Sequence, residues 1–414
     1  PLFYTIQMSV TGTVLGIFFA LVLSPFGAAN LGFPAVIRRI LRIVIQILRS
    51  FPALILALTA TFLFGLGTFA GTFAITLYTF AIMTKLTYED ASAADVKAYQ
   101  ALRAMGVSKY VAYIHGILPE IIPGFLTNAL YLLETNVRHS SILGYVGAGG
   151  IGLLLNEKIS WLEYDKVGTI LLMLFLTVCV IEYFSRYLAA LIRKERTIKK
   201  EQARLLLLFL AALFLICTFT LSLPDFSRTS PQTLRNMFAG FLQPDWSFFF
   251  SAEKDGLGYL LLETVCIAFI GTVIGAIVSA PLAFLNTKRF VPAPVSFLFN
   301  LVIMVIRSVP FLVYGLIFIR VSGTGAFTGV LTLAVCSIGL LTKRFTEALD
   351  ALDPRPYHAL LAMGVRPLPA ICHSVLPQLK PVFTSIILYR FDVNIREASV
   401  LGLVGAGGIG APLI

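Results

Sequence analysis

The sequence predicts an all-α, polytopic membrane protein, and composition is the first reason. Of its 414 residues, 58% are hydrophobic and 13% are charged, against roughly 25% charged residues in soluble domains. Residues 1–37, 50–84 and 205–224 contain no Asp, Glu, Lys or Arg. A membrane-spanning helix needs about 20 apolar residues, so the longer stretches each hold more than one spanning segment.

The second reason is the succession of apolar segments and the charge between them. We predict ten spanning helices, near residues 4–24, 43–65, 68–86, 117–138, 166–190, 205–223, 257–284, 295–320, 324–342 and 376–397. Lys and Arg collect in segments that we therefore place on the cytoplasmic side, namely 38–42, 193–204, 288–289 and those after Thr84 and Thr342. Basic cytoplasmic segments account for most of the net charge of +11, so the excess of Lys and Arg gives no reason to expect a nucleic-acid partner.

The third reason is an internal repeat with an offset of 258 residues. ALRAMGVSKYVAYIHGILP at Ala101–Pro119 aligns with ALLAMGVRPLPAICHSVLP at Ala359–Pro377, and ten of the nineteen positions are identical. The phrase GYVGAGGIG at Gly144–Gly152 returns as GLVGAGGIG at Gly402–Gly410. The same offset pairs two Arg-Ser-x-Pro strings and two Asn-x-Arg strings, which begin at Arg49, Arg307, Asn136 and Asn394.

The chain therefore reads as two fused copies of one membrane unit. We predict a first repeat over residues 1–197 and a second over 198–414, joined through the basic linker 193–204. With a one-residue insertion, GTVLG at Gly12–Gly16 also matches GTVIG at Gly271–Gly275. Unequal ends of the two copies lead us to expect that the first helix of copy one and the last helix of copy two are missing from this sequence.

Each copy carries a segment of mixed polarity on the predicted cytoplasmic side. We expect a short helix near residues 95–105, ended by Gly106, and its counterpart from Asp353, ended by Gly364. A short helix on the surface suits docking into another protein's groove. The alternative is an amphipathic segment that rests on the lipid surface.

The spacing of this segment carries a resemblance to a known family. Ala-x-x-x-x-Gly, followed twelve residues later by Leu-Pro, resembles the coupling loop of ABC importer permeases. Two positions depart from that motif, since its leading Glu is Gln100 and His358 here and its Ile is Gly116 and Ser374. With the Arg-Ser-x-Pro, Asn-x-Arg and VGAGGIG strings, both halves resemble the permease of phosphonate-type ABC importers. The resemblance implies a type I ABC importer transmembrane fold and a multi-pass protein of the bacterial cytoplasmic membrane.

The same resemblance implies partners. The sequence contains no G-x-x-x-x-G-K-[ST] phosphate loop, so ATP and Mg would be bound by two separate ABC ATPase subunits, and this chain would be no enzyme and hold no cofactor. An extracytoplasmic solute-binding protein would deliver phosphonate, phosphite, hypophosphite or phosphate, and lipid would surround the helices. The residues expected to couple the permease to the ATPases are Tyr99, Ala101, Ala104, Gly106, Tyr357, Ala359, Ala362 and Gly364.

Candidate substrate contacts follow from the helix that begins at Pro119. About 20 residues climb roughly 30 Å, which places Arg138 near the extracytoplasmic mouth. Guanidinium groups match phosphoryl oxygens, but ion pairs with Glu134 and Asp392, four residues earlier, are an alternative. The expected substrate path comprises Asn136, Arg138, Asn394, Arg396, Arg49, Arg307 and Arg390.

The glycine phrases are expected to form an outer gate. Glycine allows close backbone approach and left-handed conformations, and successive N–H groups can point inward toward an anion. Tight packing is the alternative for these glycines, and a helix bend is the alternative for Arg49 and Arg307. The expected gate residues are Gly147, Gly149, Gly150, Gly405, Gly407 and Gly408.

Three rival functions remain. Permeases for methionine or betaine share similar glycine phrases. A secondary transporter would need carboxylates deep in the membrane, whereas Glu134, Glu263 and Asp392 are expected near its outer end. An intramembrane enzyme is disfavoured because the chain has no HExxH or GxSxG string, and the five scattered cysteines predict no metal site.

Overall fold

The computed structural model describes residues 1–192, 200–222, 235, 239–240, 243, 246–250 and 256–413. Over these residues the chain folds into helices and loops, with no strand. It divides into two compact units, Pro1–Gln243 and Pro244–Ile414. Most of the predicted linker, residues 193–199, lies outside the described part.

The first unit contains ten helices among its described residues. They are α1 (Leu2–Gly27), α2 (Ala35–Ser50), α3 (Ala53–Phe64), α4 (Thr68–Ala93), α5 (Lys97–Ala104), α6 (Lys109–Gly116), α7 (Leu118–Leu143), α8 (Ile151–Ser160), α9 (Tyr164–Ile192) and α10 (Lys200–Phe219). A single 3₁₀ turn, Gly144–Val146, follows α7.

After a short first helix, the second unit repeats the order of α1 to α7. Its described helices are α11 (Trp246–Phe250), α12 (Leu257–Asn286), α13 (Ala293–Ser308), α14 (Phe311–Ser322), α15 (Ala326–Ala351), α16 (Arg355–Ala362), α17 (Pro367–Ala370) and α18 (Leu376–Leu401). A π-helical turn, Ile371–Val375, joins α17 to α18. From α2 to α7 the helix starts recur in the second unit at the predicted offset of 258 residues.

The centre of the first unit is the close packing of α1 against α4. A Cβ atom at Gly12 would lie 2.8 Å from Ile75 Cβ, and one at Gly16 would lie 2.7 Å from Thr79 Cβ. The second unit packs α12 on α15 in the same way, with Gly275 facing Ser337. The repeated GTV[L/I]G string therefore lets two membrane helices approach, as small residues do in bilayers.

Six described helices are long and apolar enough to cross a membrane, and three further pairs qualify together although each pair is bent. Two predicted spans, 43–65 and 295–320, are wrong as continuous helices. The chain turns by 95° between α2 and α3 and by 84° between α13 and α14. Pro52 and Pro310 stand at these breaks, because proline has no N–H to donate and disfavours a helical residue before it.

Helix α10 covers most of the predicted span 205–223, and it packs within the first compact unit. The amide of Gln7 on α1 donates from Nε2 to the Cys217 carbonyl at 3.0 Å and to Thr220 Oγ1 at 2.9 Å. The predicted second repeat begins at residue 198, so its first helix belongs by contact to the first unit. The boundary at 197/198 therefore follows the sequence repeat, whereas the boundary between the compact units follows contacts in the folded chain.

Candidate functional site

The two predicted coupling segments form matching short helices, α5 and α16. Each is preceded by an aspartate whose carboxylate accepts the backbone N–H two residues on: Asp95 from Lys97 and Asp353 from Arg355, both at 3.0 Å. The backbone hydrogen bond from Lys97 lowers the pKa of Asp95 below its ordinary value. A charged acceptor therefore satisfies a helix-start N–H in both halves.

Both helices end in the same glycine turn. Gly106 and Gly364 adopt φ values of 84° and 83°, and the residue after each donates back to the carbonyl five positions earlier. This left-handed C-terminal motif favours glycine. No atom lies within 4 Å of a Cβ placed on either glycine, so each turn projects from its unit.

The projecting surface is the same in both halves, and we call these two surfaces the coupling faces. Met105 is 71% exposed and Met363 is 78% exposed. Methionine is an adaptable side chain that is common at binding surfaces. The exposed residues of the first coupling face are Ala101, Ala104, Met105 and Gly106, and those of the second are Ala359, Ala362, Met363 and Gly364.

The supports beneath the coupling faces differ. In the first unit Tyr99 is buried and its hydroxyl donates to the Leu31 carbonyl at 2.6 Å. A Cβ at Gly116 would lie 2.8 Å from the Tyr99 backbone nitrogen, which explains why the usual Ile of the motif is absent there. In the second unit Tyr357 is only partly buried and meets the edge of Phe290.

The Arg-Ser-x-Pro strings lie at the two helix breaks. Arg49 and Arg307 occupy the last turns of α2 and α13, directly before the bends. The Arg307 side chain packs over α15, since a Cβ at Gly339 would lie 2.9 Å from Arg307 Cγ. These arginines are thus placed where the chain changes direction, and substrate contact at either one stays a prediction.

The glycine phrases form tight turns packed against their own units. A Cβ at Gly152 would lie 2.0 Å from the Ser141 carbonyl oxygen, and one at Gly410 would lie 2.1 Å from that of Ser399. All six predicted gate glycines have φ between 78° and 88°, a range in which other residues are strained. Both phrases therefore require glycine for backbone geometry.

Two N–H groups that follow these glycines are satisfied inside the protein. Ile151 donates to Thr5 Oγ1 and Ile409 donates to Thr264 Oγ1, each at 2.8 Å. The second unit adds a carboxylate, because Glu263 accepts the Gly408 N–H at 2.8 Å. The aligned residue of the first unit is Tyr4. The second glycine phrase is thus already occupied by an anionic side chain of the protein.

The predicted path asparagines lie inside helix crossings. Asn136 is fully buried and donates to the hydroxyls of Thr13 and Thr79, both at 2.7 Å. Asn394 is equally buried and donates to Thr272 at 2.7 Å and to Ser337 at 2.9 Å. Each amide ties three helices together. This placement differs from the expected one on the solute path, because the hydroxyls on the neighbouring helices draw both amides inward.

Three of the predicted path arginines, those on α7 and α18, have carboxylate partners on their own helices. Arg138 pairs with Glu134 at 2.6 Å, and Arg396 pairs with Asp392. Arg390 is buried, pairs with Glu397 at 2.8 Å and donates to Ser337 Oγ at 3.1 Å. The ion-pair alternative is present in the structure, and it leaves open whether Arg138 and Arg396 also contact substrate.

Glu397 is the functional candidate that sequence reasoning missed. It lies seven residues after Arg390, two helical turns away, whereas the usual spacing of an ion pair along one helix is three or four residues. The first unit has Leu132 and His139 at the aligned positions, so both partners change together between the halves. That paired change was the available signal. Among the described residues no group of His, Cys, Asp or Glu is arranged to hold a metal ion.

The sequence matches one protein family in both halves, over residues 12–198 and 271–414: the binding-protein-dependent transport system inner membrane component. It is 28% identical over 414 residues to the phosphate-import permease protein PhnE of Mycolicibacterium smegmatis, covering 98% of this chain and 77% of that protein. It is 38% identical over 155 residues to the phosphite transport system permease protein PtxC of Stutzerimonas stutzeri, covering 37% of this chain and 56% of that protein.

A search of solved structures finds the MetNI methionine ABC transporter in an inward-facing conformation, with a TM-score of 0.41 and 23% identity. That match covers 46% of this chain and 93% of the other. The family match, by contrast, extends over most of the chain and occurs once in each repeat. The chain therefore belongs to the inner membrane components of binding-protein-dependent transport systems and is a multi-pass ABC importer permease.

Proposed function

We propose that this permease imports a phosphorus oxyanion, such as phosphonate, phosphite, hypophosphite or phosphate. The observation that carries the proposal is the similarity over 98% of the chain to a phosphate-import permease. The phosphite permease, which matches over a shorter range, supports the same class of solute. An oxyanion also agrees with the arginines that both halves place toward the outer ends of α7 and α18.

Energy comes from outside this chain. Two ABC ATPase subunits bind ATP and Mg on the cytoplasmic side, one at each coupling face, and an extracytoplasmic binding protein delivers the solute. Because the two coupling faces expose the same four residues, one type of ATPase groove fits both. ATP-driven closure of the ATPases moves α5 and α16, and the attached helices alternate access between the two sides of the membrane.

In this scheme the arginines attract the oxyanion only moderately, because each is paired with a carboxylate. Glu134 and Asp392 neutralise much of the charge of Arg138 and Arg396, which prevents a tight trap for the anion. A guanidinium has five N–H donors, so one carboxylate leaves donors for a passing oxyanion. Binding that is favourable enough for entry and weak enough for exit is the general requirement for conduction.

The test is substrate-stimulated ATP hydrolysis by the whole complex. The permease is reconstituted with its ATPases and binding protein, and ATPase activity is titrated with phosphonate, phosphite, hypophosphite, phosphate, methionine and betaine. Stimulation by at least one phosphorus oxyanion and by neither methionine nor betaine is expected. Stimulation by methionine or betaine alone would overturn the substrate class and leave the permease identity intact.

A further inference from the structure

Helix α2 carries a group of arginines that its own unit does not neutralise. Arg38, Arg39 and Arg42 lie within a stretch of five residues, and we call them the arginine group. Within the part of the chain that the structure describes, none of them forms an ion pair with a carboxylate, and Arg39 is exposed. Charge of one sign attracts a partner of the opposite sign. The arginine group therefore indicates an anionic partner from outside the unit.

Two members of the arginine group are held at the end of α1. Arg42 donates from Nε to the Gly27 carbonyl at 3.0 Å. Arg38 donates from Nη1 to the Ala29 carbonyl at 3.4 Å. The Arg42 guanidinium also lies 5.1 Å from the ring centroid of Tyr88. A guanidinium has five N–H donors, so both arginines are fixed in position and keep donors for a further acceptor.

The end of α1 lies at the level of the lipid headgroups. Helix α1 has 26 residues, which gives a length of about 39 Å at 1.5 Å per residue. This length exceeds the hydrocarbon core of about 30 Å and approaches the roughly 40–45 Å that includes both headgroup regions. Tyrosine is enriched at this level, in agreement with Tyr88 beside Arg42. The arginine group therefore lies at the headgroup level of the cytoplasmic side, where basic residues collect.

The side of α2 next to the arginine group is apolar and exposed. Its large hydrophobic residues are between 44% and 68% exposed, namely Val36, Ile37, Ile40, Ile43, Val44 and Ile47. At 3.6 residues per turn these side chains form one continuous face of about 120°, which lies beside Arg39. An apolar face bordered by arginines is typical of a helix at a membrane interface.

The corresponding helix of the second unit has the apolar face without the arginines. At the positions of the arginine group, α13 has Ser296, Phe297 and Asn300. Phe297 is 68% exposed and Leu298 is 60% exposed, so the exposed surface of α13 is apolar at these positions. Lipid tails are enough to explain an apolar face in both halves. The arginine group, which occurs only in the first half, requires a partner that is both apolar and anionic.

We propose that the arginine group binds the headgroup of an anionic phospholipid, such as phosphatidylglycerol or cardiolipin, in the cytoplasmic leaflet, and that its acyl chains lie along the exposed apolar face of α2. Guanidinium groups match the oxygens of a phosphodiester, and clustered basic residues beside a membrane helix attract anionic lipid. An acidic protein segment fits less well, because it offers no apolar surface to the face beside the arginines. The bound lipid holds α2 directly before the break at Pro52, whichever solute the permease carries.

The first arm of the test measures which lipid binds. The full-length permease in a neutral detergent is titrated with phosphatidylglycerol or phosphatidylcholine, and native mass spectrometry counts the bound lipids. Wild type is expected to bind phosphatidylglycerol at least about tenfold more tightly, because several arginines contribute. Arg39→Gln removes one cation that makes no hydrogen bond with the described residues. It should weaken phosphatidylglycerol binding about fivefold and leave the melting temperature unchanged.

Two further variants and one control separate charge from fold. Arg38→Ser/Arg39→Phe/Arg42→Asn gives α2 the residues of α13 and should abolish the preference for phosphatidylglycerol. Replacing all three arginines by lysine keeps the charge and should retain most of that preference. Arg355→Gln removes an exposed arginine of α16 that has Asp353 as its partner, and it should bind phosphatidylglycerol as wild type does. Equal affinity of wild type for both lipids, or wild-type affinity in Arg39→Gln, would overturn the proposal.

A competition experiment decides between a lipid headgroup and free phosphate. Inorganic phosphate or sodium chloride is added at equal ionic strength to the permease with bound phosphatidylglycerol. Both salts are expected to weaken lipid binding to the same extent, by screening. Selective displacement by phosphate would assign the arginine group to a soluble oxyanion and overturn the lipid assignment.

The second arm measures whether acyl chains cover the apolar face. Trp161→Phe and Trp246→Phe remove the two native tryptophans, and Ile40→Trp then places one emitter on the exposed face of α2. The permease, assembled with its ATPases, is reconstituted into phosphatidylcholine vesicles that contain phosphatidylglycerol with brominated acyl chains, which quench tryptophan on contact. Met105→Trp, on the projecting first coupling face, is the control.

Strong quenching is expected at position 40 and none at position 105, and adding Arg39→Gln should reduce the quenching at position 40. Emission at position 40 that is as unquenched as at position 105 would show that protein covers this face of α2, and it would overturn the proposal.

Discussion

The two halves pack their helices in the same way, but the side chains beside the shared contact differ in chemistry. In both, a buried asparagine joins α7 to α1 and α4, or α18 to α12 and α15. Beside it the first half has Leu132 and a His139 ring against Tyr78, whereas the second half has the ion pair of Arg390 and Glu397. The buried asparagine and its hydrogen bonds to two hydroxyl groups are the same in both halves, whereas the two residues beside it differ together. The asparagine is therefore a structural requirement, and the two residues beside it can vary as a pair.

At the outer and inner ends too, the two halves share their backbone geometry and differ in the side chains that support it. The glycine phrases keep their backbone geometry, but among the described residues only the second phrase donates an N–H, that of Gly408, to a carboxylate, that of Glu263. The coupling faces keep their four exposed residues, but Tyr99 is anchored by a hydrogen bond and Tyr357 by a ring contact. Residues that are identical in the two halves are therefore those at close-packed contacts and on the coupling faces. The residues or contacts that support these features differ between the halves.

The largest effect is expected from breaking the shared glycine geometry. Gly152→Ala and Gly410→Ala each push a methyl group against a backbone carbonyl that cannot turn away, and overpacking typically costs about 1–3 kcal/mol, and more where the neighbouring atoms cannot shift. We expect a loss of folded protein, or the lowest melting temperatures of this series, in size-exclusion and thermal unfolding measurements in detergent.

Gly168→Ala on α9 is the matched control for both glycine variants. No atom lies within 4 Å of its Cβ position, and alanine is favoured over glycine in a helix, so this variant should be as stable as wild type or slightly more so. Equal stability of all three variants would contradict the packing assigned to the glycine phrases.

The next effect tests the divergent pair as a double-mutant cycle. Arg390→Leu leaves the largely buried Glu397 carboxylate without its cation, and Glu397→His leaves the buried guanidinium without its anion. Breaking such a pair costs about 3–5 kcal/mol. The double variant Arg390→Leu/Glu397→His reproduces the residues of the first half, and we expect it to recover more than half of the lost stability in thermal unfolding.

Strict additivity of the two single losses would show that Arg390 and Glu397 do not act as a pair.

A smaller effect separates the two coupling supports. Tyr99→Phe removes a buried hydrogen bond and is expected to lower stability by about 1 kcal/mol, with a matching loss of ATPase stimulation. Tyr357→Phe keeps the ring contact with Phe290 and should be silent in both measurements. Equal losses for the two variants would mean that the supports do not differ in the way the hydrogen bond to Leu31 indicates.

The smallest effect is a pH dependence confined to the turn between α8 and α9. Hydrogen bonds from Lys166 and Lys158 lower the pKa of Glu163, and hydrogen bonds to Glu163 and Glu157 raise the pKa of Lys158. A carboxylate with a lowered pKa stabilises the fold above the ordinary glutamate value of 4.5 and loses this contribution as the pH falls below it. A lysine with a raised pKa contributes below the ordinary value of 10.5 and loses it above.

Trp161 reports on this turn, because Lys158 Nζ lies 4.3 Å from its ring centroid. The chain has two tryptophans, so Trp246→Phe leaves one emitter. We expect its emission to be constant near neutral pH and to shift on acidification below the ordinary glutamate pKa. Glu163→Gln should remove that acid shift, and an unchanged acid shift in this variant would exclude Glu163 as its cause.

Much of this architecture could be predicted from the sequence, because duplication supplies an internal comparison. The offset of 258 residues is enough to locate the coupling faces, the glycine phrases and the two Arg-Ser-x-Pro strings. Gly32, Gly65 and Gly67 lie between helices and have positive φ values, a conformation that favours glycine over other residues. These features depend on residues that are close together in the sequence, so the sequence pattern is enough to predict them.

What could not be predicted depends on contacts between distant segments. The 95° bend at Pro52 is set by how α2 and α3 pack, and hydropathy reads the two helices as one span. The burial of Asn136 depends on hydroxyls 123 and 57 residues away. The packing of α10 on α1 depends on Gln7, 210 residues from Cys217. Sequence spacing along one helix carries no information about such partners.

The most direct test of the account concerns its central claim, that two equal coupling faces each hold one ATPase. The measurement is the number of ATPase subunits that copurify with the permease, together with stimulated ATPase activity, for wild type, Ala104→Glu, Ala362→Glu and the double variant. We predict two ATPases for wild type, a lower occupancy and lost stimulation for each single variant, and no bound ATPase for the double variant. Full occupancy and normal stimulation in the double variant would contradict the claim.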